Sequence, residues 1–153
     1  MASNPTKFAA KTLLGVLSVL VLAVTASAET DTFTWQGGTD DSWYKQQNWN
    51  SQSGGVPGDD DHVYVNTSAR VCNTEDGGAG AMNLYVASDD STSGIVAVPT
   101  NAELFVQREL RLGKDGSSTS VATLNLSGDG LLRTGIDSLD GGVNIYTKGT
   151  VNH

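Results

Sequence analysis

Beyond residue 29 the chain alternates apolar and polar positions in short bursts: HVYVN, MNLYV, IVAV, ELFV, ELRLG, TLNLS and VNIYT. Gly, Ser, Thr, Asn or Asp bound most of these bursts. A period of two sends neighbouring side chains to opposite faces of an extended strand. No stretch of this region sustains the 3.6-residue period of an amphipathic helix. The pattern therefore predicts an all-β fold of many short strands with almost no helix.

Four of the bursts share a longer template. Val63–Val71, Val96–Leu104, Leu124–Leu132 and Val143–Val151 all fit Φ-x-Φ-x-x-x-(Ala/Gly)-x-Φ, with starts 33, 28 and 19 residues apart. Two apolar residues face the core, a small residue turns a corner, and a third apolar residue re-enters the core. Internal repetition on this scale predicts stacked coils, because one coil cannot bury its apolar face alone. A β-solenoid is the expected architecture, and an antiparallel β-sandwich is the alternative.

The N-terminus follows a different pattern. Lys7 and Lys11 precede TLLGVLSVLVLAVTA at residues 12–26, and Ala26-Ser27-Ala28 forms a small-residue cleavage site before Glu29. That order is a secretory signal peptide, expected over 1–28. Its apolar run is shorter than the roughly 20 residues that span a bilayer. Loss of the two lysines takes the formal net charge from −8 to −10. A surface this acidic repels nucleic acid and anionic lipid. Cys72 is the only cysteine, so no disulfide forms within the chain. It reads as a small buried hydrophobe, with pairing between chains as the alternative.

Residues 33–65 carry Trp35, Gly37-Gly38, Trp43, Asn48-Trp49, Pro57 and an acidic run before Val63-x-Val65. This order resembles the opening of passenger regions in bacterial autotransporter-like and PEP-CTERM-type surface proteins. The later LRLGKDG and TLNLSGDGLL stretches are similar to the Gly-rich strand repeats that follow in such proteins. The resemblance implies a right-handed parallel β-helix whose Trp/Gly-rich segment 29–62 caps solenoid repeats over 63–153. A first coil exposes an apolar end and open strand edges, and Trp35, Trp43 and Trp49 are large enough to cover it. The alternative role for the same three tryptophans is a sugar-stacking platform. The membrane barrel or C-terminal sorting signal of those families is not seen. The chain stops inside its fourth repeat, so a fragment of a longer protein is expected.

Candidate chemistry is sparse. Asp59-Asp60-Asp61-His62 offers four ligand types in a row, but consecutive strand residues point apart. Neither an EF-loop nor a clear calcium repeat is present; Asp76-Gly77-Gly78-Ala79-Gly80 and Asp140-Gly141-Gly142 are faint echoes of one. No cofactor is expected, with calcium as a weak alternative. The sequence has two histidines, His62 and His153, and lacks nucleophile-elbow, phosphate-loop and zinc motifs. Lys114 with Asp115, and Asp129 with Arg133, are the nearest approach to a glycan-cleaving pair. Asn66-Thr67-Ser68 and Asn125-Leu126-Ser127 match the glycosylation sequon, which matters only in a eukaryotic source.

These features predict an exported, non-catalytic, adhesin-like or structural protein of the cell surface or extracellular matrix, with the periplasm as a further location. A glycan-binding module and, below it, a polysaccharide lyase or glycosidase are the alternatives. Expected partners are surface or matrix glycans and proteins. A second copy of the chain is also expected, through an open last coil exposing Leu132, Val143, Ile145 and Val151.

Overall fold

The computed structural model describes residues 30–37, 40–67, 72–74, 77–135, 142–146 and 149–153. Several expectations fall outside these residues: the signal segment, Gly38, Ser68, Ala69, Val71, Asp76, Asp140-Gly141 and the side chains of Cys72 and Ile145. The described residues are nearly all β and form a β-solenoid of about four turns. The strands are β1 (Thr32–Trp35), β2 (Trp49–Asn50), β3 (His62–Val65), β4 (Cys72–Asn73), β5 (Gly77–Val86) and β6 (Ser93–Val98). They continue with β7 (Ala102–Leu112), β8 (Val121–Leu126), β9 (Leu131–Thr134), β10 (Gly142–Ile145) and β11 (Gly149–Asn152). One 3-10 turn, Gln46–Asn48, is the only helix among them.

Every pairing between these strands is parallel except β1 with β2. The antiparallel sandwich is thereby overturned: parallel neighbours must be joined by a circuit through the rest of a coil, not by a hairpin. Alternation sets the inside of each coil. Val63 and Val65 are buried between half-exposed His62 and Tyr64, and β6 reads buried and half-buried in strict turn. The inward side chains of successive coils join with the three tryptophans in one hydrophobic core.

Register defines the coils. His62 pairs with Asn83, Asn83 with Glu109 and Glu109 with Gly142, steps of 21, 26 and 33 residues. A second stack runs Cys72, Val96, Leu124, Val151, and a third runs Ala79, Leu104, Leu132. The four sequence repeats are therefore not four equivalent pieces. Val96 and Leu124 share one stack, but Val63 and Val143 lie in another, beside Leu84 and Leu110. What the repeats share is a corner. The small residue at the seventh position returns its backbone N–H to the carbonyl three residues earlier: Ala102 to Pro99, Gly130 to Ser127 and Gly149 to Tyr146. A side chain is excluded at Gly130, where a Cβ would stand 2.3 Å from the Val98 carbonyl oxygen.

The bursts ELFV and ELRL merge into the single strand β7, and the glycine-rich run before MNLYV joins it as β5. Both long strands change register between Ala81 and Asn83, where Met82 stands opposite Gln107 and Arg108. Such a bulge bends a strand. It lets β7 take β9 on its first half and β10 on its second.

Candidate functional site

The tryptophans sit at the β1–β2 end of the stack. Trp35 and Trp49 are Cα partners across that antiparallel pair. Trp49 is the hub: its ring meets Trp35 at 5.0 Å, Trp43 at 4.9 Å and Phe33 at 6.3 Å, all edge to face. Edge-to-face contact sets the positive rim of one ring on the negative face of the next, worth roughly 0.5–1.5 kcal/mol per pair beyond burial. Trp49 Nε1–H also donates to the Trp43 carbonyl at 2.6 Å. The three residues are 2%, 0% and 7% exposed in chain order. Stacking a sugar on any of them requires this cluster to open. The indole N–H groups of Trp35 and Trp43 have no acceptor among the described residues.

A polar brace holds the segment between Trp35 and Trp49. Asp40 accepts from the Lys45 ammonium, from Asn48 Nδ2 at 2.9 Å and from the Ser42 N–H at 3.1 Å. Asn48, itself buried, also donates to the Ser42 carbonyl. Hydrogen bonds from Lys45, then Asn48, then Ser42 hold the Asp40 carboxyl down at about 2.

The acidic run resolves into separate tasks. Asp61 is 8% exposed, and its carboxylate accepts the N–H groups of Asp31 at 3.0 Å and Gly58 at 2.9 Å. Its carbonyl accepts Met82 N–H at 2.7 Å. Asp61 thus pins the first coil to the second, while Asp59 points outward. His62 Nδ1 lies 2.9 Å from Asn83 Nδ2, and Asn83 Oδ1 accepts the Glu109 N–H. With that oxygen engaged, the amide nitrogen is the donor, so His62 Nδ1 is the acceptor. No group of three or more His, Cys, Asp or Glu side chains suited to a metal ion occurs among the described residues.

The pairs weighed for glycan cleavage are drawn elsewhere. Lys114 bridges to Asp90 at 2.5 Å and Arg133 to Glu103 at 3.0 Å, both in the preceding coil. Asp129 accepts the Asn101 N–H at 2.9 Å. The sequon asparagines bond between coils as well. Asn66 engages Ser88 and Asp89 through its amide, and Asn125 accepts from Asn152 at 2.8 Å.

A stripe that sequence reasoning missed runs along the outside of β3, β5 and β7. Tyr64 and Tyr85 are register partners with rings 4.9 Å apart and tilted by 32°. Arg111, the partner of Tyr85 in β7, lies 5.2 Å over the Tyr85 ring and 5.8 Å over that of Tyr146. Glu109 grips the same guanidinium at 2.8 Å. Burial, followed by the Glu109 charge, pushes the Tyr85 phenol up. Steps of 21 and 26 residues would have aligned these positions; the four-repeat template mixed two stacks and hid them. Against protein-family models, curated proteins and solved structures alike, the chain matches none.

Proposed function

We propose that this protein is an exported, non-catalytic β-solenoid of the cell surface or extracellular matrix, with a structural or adhesive role. The observation carrying the reading is how the outer polar side chains are used. Lys114, Arg133, Asn66, Asn125 and Asp129 each bond to a neighbouring coil. Residues that chemistry would need are engaged in fastening one coil to the next, which suits a scaffold. The signal-like N-terminus, with Ala26-Ser27-Ala28 before Glu29, supplies the route out. The resemblance of the tryptophan segment to the opening of autotransporter-like and PEP-CTERM-type proteins supports a surface setting.

Expression of the full chain with a C-terminal tag tests this directly. The expected product begins at Glu29 by mass spectrometry and is found outside the inner membrane. It releases no new reducing ends or unsaturated products from neutral or acidic polysaccharides. An unprocessed chain in the cytoplasm, or measurable polysaccharide cleavage, would overturn the reading.

A further inference from the structure

Glycine inside a strand gives up packing, and it recurs where another backbone or a bound molecule comes close. β5 has two on its outward side, Gly78 and Gly80, alternating with buried Ala79 and Ala81. The chain itself accounts for Gly80: a Cβ there would lie 3.0 Å from the Asp59 backbone nitrogen. Gly78 has no such neighbour. A Cβ there meets nothing within 4 Å, and its φ lies outside the left-handed region that favours glycine. The space above it is a groove of about 310 Å³, with Gly78 and Gly80 in its floor and Pro57, Asp59, Glu103 and Phe105 among its walls.

We propose that this groove binds a single neutral sugar ring. Phe105 lies between buried Leu104 and Val106, so its half-buried ring is on the outer face and offers an apolar surface to sugar C–H groups. Asp59 and Glu103 are acceptor-only when ionised, which matches a rim of hydroxyl donors. Arg133 occupies one oxygen of Glu103, at 3.0 Å, and the Asp59 carboxylate accepts no hydrogen bond from the described residues. Two carboxylates, one of them paired, supply too few oxygens for calcium, which takes about six to eight. They also repel an anionic ligand. The volume is at the low end of small-molecule sites, roughly 300–1,000 Å³, so one ring fills it and further sugars extend over the open side.

Amide NMR titration of the full chain provides the test, with the methyl β-glycosides of glucose, galactose and N-acetylglucosamine as probes. At least one should give saturable shifts at Gly78, Gly80 and Glu103. Gly78→Val places a β-branched side chain where a strand accepts one, and fills the groove. It should weaken binding at least about tenfold while leaving the melting temperature unchanged. Phe105→Ala gives an independent reading of the same site should the valine variant fold poorly. The proposal is overturned if none of the three sugars gives saturable shifts. It also fails if the shifts persist unchanged in both variants, or if galacturonate or spermidine binds the groove more tightly than every neutral probe.

Discussion

Gly94 shows how closely single residues are constrained. It faces inward on β6, and a Cβ there would stand 2.0 Å from the Val65 carbonyl oxygen and 2.9 Å from Val86 Cγ1. The nearest obstacle is backbone, which cannot rotate aside. Its register partner Ala122 is fully buried, so the same lateral position holds a methyl group one coil on. The room therefore differs between coils although the position repeats. Gly94→Ala should destabilise the fold by about 3 kcal/mol, the upper end of the usual overpacking cost. Ala122→Gly should cost only about 1 kcal/mol, from a lost methyl and added chain freedom. Urea unfolding of the two variants checks the asymmetry; similar losses would show that the contact at Gly94 relaxes.

The brace between β1 and β2 acts at the scale of an element. Asp40 is held down at about 2 from an ordinary 3.8, first by Lys45, then by Asn48 and Ser42. A depressed carboxyl stabilises the folded state above its unfolded pKa, and that contribution disappears as pH falls through the folded value. The tryptophan cluster should therefore loosen between about pH 4 and pH 2. The expected sign is faster solvent exchange of the Trp49 Nε1 proton over that window, with the step absent in Asp40→Asn. An unchanged step in the variant would assign it to another carboxylate; Asp31 and Asp90 are also depressed, chiefly by hydrogen bonds from Ser53 and Lys114.

The elements also show what could be read from sequence. Alternation located β3, β6 and β8 because each has one buried face and one wet face. It missed the start of β5, where Gly78, Ala79, Gly80 and Ala81 alternate in burial without alternating in polarity. The corner motif was legible, since a tight turn needs a small residue at Ala102, Gly130 and Gly149. The coil to which each corner belongs was not, because two stacks use the same local chemistry. The tryptophans could be placed at one end, but only packing distinguishes a buried cluster from an exposed platform. The groove above Gly78 has no sequence signal; it exists because the loop at 57–59 stands beside a strand thirty residues from β7's wall.

At the scale of the molecule the two ends of the stack differ. Antiparallel β2 closes the first, whereas β9, β10 and β11 have no further strand beside them among the described residues. Val143 and Val151, register partners of buried Leu110 and Leu124, are 45% and 41% exposed, while Leu132 remains partly packed on the core. An open edge of this kind pairs readily with another chain. We expect concentration-dependent association in sedimentation velocity, reduced by Val151→Lys, which puts a charge on the apolar side of that edge. A chain that stays monomeric over the whole concentration range would contradict this.

The tryptophan cluster also determines what an optical probe of this molecule sees. All three tryptophans of the chain are packed within one end of the stack. Coils that contact only their neighbours fray from their ends and need not melt together. Emission from the indoles is therefore a gauge of the β2-capped end, blind to events around β10 and β11, whereas far-ultraviolet dichroism averages over every coil. Agreement between the two midpoints becomes a measure of how far order propagates along the stack, and the gap between them a measure of where it stops.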